Sequence, residues 1–196
     1  MSSVTAPTMT ANEFYDFVHR PENRDRMFEL ERGEVIEMSR PGKLHGFVCG
    51  NTVRVLSNFT FARKKGYVCS NDTGIVVEED PDTVRGPDVA LFEDVTSFEQ
   101  LQEKWARTPP RLAVEVLSPN DTMAKVMQKI REQLQFGVAL VWVIDPEVRT
   151  VTVYRRGQGR RIEEYTLDEN EELTGDDVFP DFRCKVAEFF AFPGQG

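Results

Sequence analysis

The sequence predicts an α/β (α+β) fold: a mixed β-sheet core flanked by helices, with extra N-terminal and C-terminal hairpins. Three observations predict it. Between residues 44 and 145 the apolar pattern runs helix, strand, strand, strand, helix, strand, the alternation expected when helices pack on a sheet. The runs PDVALF (87–92), LAVEVL (112–117) and ALVWVID (139–145) are short, apolar and rich in Val, as buried strands are. The stretch after Ser118-Pro119-Asn120-Asp121 places Met123, Val126, Met127, Ile130 and Leu134 on one face at the helical period.

In chain order, residues 1–9 read as a loose tail, followed by a single domain over 10–192. MTANEFYDFVH (9–19) opens with Thr10 as N-cap and Glu13 three residues on, a capping box. Pro21 breaks that helix, and MFELERGEVIEMSR (27–40) alternates around Arg32-Gly33 as a hairpin. Leu44 to Lys65 reads as a long helix with a basic last turn and a Gly stop. YVCSNDTGIVVEE (67–79) reads as one strand closed by the turn DPDT, and PDVALF follows it. An acidic helical stretch is expected over 96–106, then the strand LAVEVL, then a helix ending at Phe136-Gly137. ALVWVID and RTVTVYRR (149–156) form a hairpin that RRIEEYTL (160–167) extends, and FRCKVAEFFAF (182–192) reads as a short helix on the core.

Composition narrows the function. No apolar run is long enough to span a bilayer, and the N-terminus lacks a basic segment followed by an apolar one. Cys49, Cys69 and Cys184 are an odd set without a CxxC pair, which argues against a disulfide framework and against a zinc site and suits a cytoplasmic setting. The net charge of −9 is local: nine acids and no base lie between Glu163 and Asp181, leaving 24 acids against 24 bases elsewhere. A broad basic face for nucleic acid is therefore not expected, but a metal-dependent phosphodiester site needs none, because the metal supplies the positive charge.

The chemistry is carried by acids inside apolar runs. Asp88 follows Pro87 at the start of one strand, and Glu115 sits in the middle of another. A buried carboxylate costs several kcal/mol unless it is paired, hydrogen-bonded or metal-bound. If the strands pair near these positions, the two acids meet and suit a hard cation such as Mg²⁺. Lys129 flanks the apolar stripe of the following helix, where its side chain reaches toward the acids, and Gln133 lies one turn later. Taken singly, Asp88 also reads as a backbone-bonded turn residue, Glu115 as a solvated edge position and Lys129 as a surface lysine.

In order, GPDVALF, LAVEVLSPND, QKIREQLQFGV and LVWVIDPEVRTVTVY, preceded by FELERGEVIEMSRPGKLHG, resemble the Uma-type (Uma-two) family, restriction-endonuclease-like members of the PD-(D/E)xK nuclease superfamily. The resemblance spans roughly Thr10 to Phe190. It implies a restriction-endonuclease-like core and a Mg²⁺ (or Mn²⁺) endonuclease acting on DNA, without an organic cofactor and as a homodimer. Asp88 and Glu115 would be metal ligands, with Val116 offering its backbone carbonyl. Leu117 stands where an E-x-K motif would carry lysine, and Lys129 matches the lysine displaced to the next helix. His45 matches a histidine near the site, Glu29 and Glu34 match acids that precede it, and Gln133 stands where many members have Tyr. Two other readings are a non-catalytic binding or regulatory member of the fold and a carboxylate-pair glycosidase; the latter finds only Trp105 and Trp142 for a sugar-stacking cleft.

Overall fold

The computed structural model describes residues 8–101, 104–159 and 161–194. Among these residues the α-helices are α1 (Ala11–Val18), α2 (Lys43–Arg63) and α3 (Met123–Phe136). The strands are β1 (Met27–Glu31), β2 (Glu34–Met38), β3 (Tyr67–Ser70), β4 (Ile75–Glu78), β5 (Thr83–Arg85), β6 (Val89–Phe92), β7 (Leu112–Val116), β8 (Leu140–Asp145), β9 (Thr150–Arg156), β10 (Ile162–Asp168), β11 (Glu172–Gly175) and β12 (Phe179–Lys185). A six-stranded sheet runs β10-β9-β8-β7-β6-β3, a four-stranded one β2-β1-β5-β4, and β11 pairs with β12. β7 and β8 are parallel and α3 is the crossover between them; the other pairs in the large sheet are antiparallel.

Alternation along the strands decides which helix covers which face. Leu112, Val114 and Val116 of β7 join Leu140, Trp142 and Ile144 of β8 in a cluster with Val48, Val55 and Leu56 of α2, closed by Phe179, Phe182, Val186 and Phe189. The intervening Ala113, Val141 and Val143 pack against Val126, Ile130 and Leu134 of α3. Each fully buried side chain of this kind contributes about 1.5–3 kcal/mol. On the small sheet, Ala11 and Phe14 of α1 cover Leu30, Val76 and Val84. Ile75 and Val77 of β4 pack with Ala90 and Phe92 of β6, which joins the two sheets.

Several expectations hold in detail. Thr10 and Glu13 form the capping box, with Glu13 N donating to Thr10 Oγ1 at 3.3 Å and Thr10 N donating to Glu13 Oε2 at 2.8 Å. The β1–β2 hairpin turns through Arg32 (φ 49) and Gly33 (φ 80), both left-handed, as a two-residue hairpin loop demands. Met9, assigned to the tail, donates its amide to Gly33 O at 2.9 Å.

Three elements differ. The single strand expected over 67–79 is two: Asn71 (φ 65) and Asp72 (φ 54) take left-handed backbone, so β3 stays in the large sheet while β4 crosses to the small one. The helix expected over 96–106 is one 3₁₀ turn, Phe98–Gln100, with residues 102–103 outside the described residues. Tertiary contacts pull the rest of that segment straight. Ala106 exchanges backbone hydrogen bonds with Gly74 and Val76, both 2.9 Å, and Trp105 Nε1 donates to Ala11 O at 2.9 Å. The helix expected over 182–192 is β12 followed by a 3₁₀ turn, Val186–Phe189, because Phe182 and Val186 reach the core while β12 pairs with β11. No helix among the described residues is long and apolar enough to cross a membrane.

Candidate functional site

Strand register builds the site. Ser70 of β3 lies opposite Val89 of β6, and Val89 lies opposite Val114 of β7. The residues next beyond these pairs, Asn71–Asp72, Asp88 and Glu115–Val116, therefore gather at one end of the large sheet. Gly86 is required there by close approach: a Cβ at this position would stand 2.6 Å from the Asp72 carbonyl oxygen.

Asp88 is fixed from two sides. Its Oδ2 accepts the Val116 amide at 2.6 Å, and its Oδ1 lies 3.1 Å from His45 Nε2 near the start of α2. The backbone bond expected of a turn residue is present, alongside a charged partner. Beside Asp88, hydrogen bonds that the ring donates to the aspartate and to Cys49 hold the His45 imidazole protonated up to about 10, against the opposing effect of burial. Val116 joins the cluster through its amide. The His45 Nδ1 side faces Cys49 Sγ at 3.4 Å.

Glu115 lies on the β7 face that α3 covers and is buried. Its Oε1 accepts from Gln133 Nε2 at 2.5 Å, while Gln133 Oε1, also buried, has no partner among the described residues. Burial raises the proton affinity of Glu115, and Asp88 and Glu29 add to it against the pull of Lys129. Lys129 sits one turn before Gln133 and donates from Nζ to Glu29 Oε1 at 2.8 Å. Burial works against its charge, but Glu115 and Glu29 outweigh it and keep it an ammonium. Glu29 in turn binds Arg85 Nη1 at 3.0 Å, and Arg85 also holds Glu31 (3.0 Å) and Glu132 (2.6 Å) while only 3% exposed.

The structure thus brings together Asp88, Glu115, Val116, Lys129, His45, Glu29 and Gln133. Glu34 is not among them: it is exposed beside the hairpin turn, and among the described residues it makes no bond into this network. Three residues escaped sequence reasoning. Asp72 is half-buried without a hydrogen-bond partner among the described residues; burial first, then Asp88, lift its carboxyl to about 6. The Asn-Asp pair inside an otherwise strand-like run, poor in strand preference, was its signal. Arg85 was marked by standing directly before GPD, and Cys49 by lying four residues after His45 on the same helix.

Four carboxylates, Asp72, Asp88, Glu29 and Glu115, influence one another here, against Lys129, His45 and Arg85 as nearby cations. Half-buried and buried acids that hold protons more tightly than usual, beside an amide oxygen without a partner among the described residues, form a donor set that a cation would fit. The oxygen donors at Asp88 and Glu115 suit a hard divalent ion. A second donor set overlaps it: His45, Cys49 and Asp88 bring ligand atoms within 4.8 Å of one another.

The chain is similar to known proteins in two respects. Residues 12–187 match the Uma2 family, described as "Putative restriction endonuclease". A crystal structure from Anabaena variabilis ATCC 29413, described as "a putative nuclease belonging to DUF820", superposes with a TM-score of 0.73 at 22% identity, covering 93% of this chain and 97% of that one. At that identity the likeness establishes the fold. A comparison with curated proteins gave no match. The match spans nearly the whole chain, and the protein belongs to the Uma2 family.

Proposed function

We propose that the protein is a Mg²⁺- or Mn²⁺-dependent endonuclease that hydrolyses phosphodiester bonds of DNA. One domain over residues 10–192 carries one such site, and a homodimer presents two sites to the two strands of a duplex. Three free cysteines fit a cytoplasmic setting. The observation that carries the reading is the gathering of Asp88, directly before β6, Glu115 of β7 and Lys129 of α3 at one sheet end, close enough for their charges to act on one another, with Asp88 held by the Val116 amide, Lys129 by Glu29 and Glu115 by Gln133.

A bound divalent ion supplies positive charge to a phosphoryl oxygen and lowers the pKa of a coordinated water. Asp88 and Glu115 would provide carboxylate oxygens to hold it, and the Val116 carbonyl would offer a third oxygen. The Val116 amide orients Asp88 independently of the side chain at 116. Lys129, kept charged and anchored by Glu29, offers N–H donors to the attacking water or to the charge that develops on the phosphoryl oxygens, an effect worth about 10²–10³ in rate for a single donor. His45 balances the charge of Asp88 in the metal-free protein, and Gln133 fixes the Glu115 carboxyl.

Plasmid cleavage with Mg²⁺ or Mn²⁺, comparing wild type with Asp88→Ala and Lys129→Ala, tests the assignment. Cleavage by wild type alone is expected; equal cleavage by all three would sink the assigned roles. A non-catalytic member of the fold is the second reading. It is favoured by the existing engagement of each group: Lys129 with Glu29, Glu115 with Gln133 and Asp88 with His45. Calorimetric titration with Mn²⁺ separates the two, since no binding at millimolar metal supports the inactive form.

A further inference from the structure

His45 and Cys49 stand one turn apart on α2, an i, i+4 spacing that turns both side chains to one side of the helix. The ring nitrogen Nδ1 lies 3.4 Å from the sulfur, and Nε2 lies 3.1 Å from Asp88 Oδ1. All three residues offer donor atoms within 4.8 Å of one another. Zn²⁺ binds nitrogen, sulfur and oxygen at about 2.0–2.3 Å in a tetrahedron, which sets ligand atoms about 3.3–3.8 Å apart; one ion takes only one ring nitrogen, so the imidazole turns to bring that nitrogen between the Cys49 sulfur and the Asp88 oxygen. A thiol contributes nothing to a hard ion such as Mg²⁺, whereas thiolate and imidazole select softer metals.

We propose that His45, Cys49 and Asp88 form a site for a thiophilic divalent ion, Zn²⁺, and that its binding withdraws Asp88 from the hard-metal site and stops cleavage. The regulatory half rests on the nuclease reading above; the zinc site itself does not. Binding forms one bond each to the Cys49 sulfur, a His45 ring nitrogen and an Asp88 oxygen. It releases two protons to solvent, one from the thiol and one from the imidazolium, because both ligands must be deprotonated to coordinate. The fourth position is left to water or to Asp72, whose charge acts on the same sulfur.

The test is a titration of the full chain with Co²⁺, a spectroscopic substitute for Zn²⁺, followed by displacement with Zn²⁺ itself. One equivalent of Co²⁺ should produce an intense thiolate-to-cobalt absorption that Zn²⁺ abolishes. Cys49→Ser should lose the absorption while keeping wild-type Mn²⁺ binding; Glu115→Gln should keep the absorption while losing Mn²⁺ binding. In the cleavage assay, Zn²⁺ should inhibit wild type at concentrations at least about tenfold lower than Cys49→Ser, since even an outer-shell partner of a ligand is worth about tenfold in affinity. No absorption in wild type, or an unchanged one in Cys49→Ser, would overturn the site. Cleavage indifferent to or stimulated by Zn²⁺ would overturn the regulatory role. Were no cleavage seen under any condition, the Co²⁺ titration would still decide the zinc site, and the failure would fall on the nuclease reading alone.

Discussion

Replacing Asp72 by Asn stabilises the metal-free protein at neutral pH. The substitution keeps shape and backbone preference, since Asn tolerates the left-handed conformation (φ 54) as well as Asp does. What changes is charge. Burial, and then the neighbouring charges of Asp88 and Glu29, raise the Asp72 carboxyl from 3.8 to about 6 despite Lys129 and His45. Two units at about 1.4 kcal/mol each set a ceiling of about 3 kcal/mol, and partial exposure of the side chain reduces this to about 1.5–2 kcal/mol. The sign follows from the raised value: the favourable protonated form is fully present below 3.8 and is lost as pH rises through about 6. The full penalty of the carboxylate therefore exists above about pH 6 and none of it below about pH 4. Urea denaturation in the presence of a chelator should show the Asn variant ahead by about 1.5–2 kcal/mol near pH 7.5, or roughly 3–8 °C in Tm for a chain of this size. The advantage should vanish toward about pH 4 and shrink when Mn²⁺ is added, because the cation relieves the same repulsion. An Asn variant that is neutral or less stable at pH 7.5, or whose gain is the same at every pH, refutes the electrostatic account of this loop.

Arg85→Met removes the cation shared by Glu29, Glu31 and Glu132 and leaves buried charge uncompensated, so urea denaturation should show a loss of about 3–5 kcal/mol; a loss under about 1 kcal/mol would mean the cluster relaxes into water. Gly86→Ala pushes a methyl group against the Asp72 carbonyl, costs about 1–3 kcal/mol and weakens Mn²⁺ binding by calorimetry, while unchanged affinity would uncouple the 71–74 loop from the site. Trp142→Phe should cost less than about 1 kcal/mol in the same denaturation assay, because the lost ring contacts are offset by removal of a buried Nε1–H that has no partner among the described residues.

The parts of the molecule legible in the sequence are those whose signal is local. The Thr10–Glu13 capping box, the Arg32-Gly33 turn and the amphipathic face of α3 each depend on residues a few positions apart, and each lies where the sequence indicates. The segments at 96–106 and 182–192 did not follow their helical pattern because their partners are distant: Ala106 is straightened by Gly74 and Val76, and β12 by β11. The site divides the same way. Asp88, Glu115, Lys129 and Gln133 are announced by polar residues set in or beside apolar periods, and His45 and Glu29 by resemblance alone. Glu34 has the same spacing logic as Glu29, but hairpin pairing puts Glu31 opposite Glu34 and leaves the latter at the exposed turn. Asp72 and Arg85 draw their meaning from register between strands, which no window along the chain contains.

Glu29 has a consequence for how the protein can be cut down. It belongs to β1 of the small sheet, yet its two oxygens bind Lys129 of α3 and Arg85 of β5, and the Gly86 amide lies 3.5 Å away. A shortened chain that kept α2, the large sheet and α3 but dropped the hairpin would retain both strand acids and the lysine in sequence. It would lose the counter-charge that holds the ammonium in place and would leave Arg85 short of two carboxylates, Glu29 and Glu31. The smallest autonomous unit therefore has to begin no later than Met27, and fusion or truncation boundaries belong upstream of the hairpin.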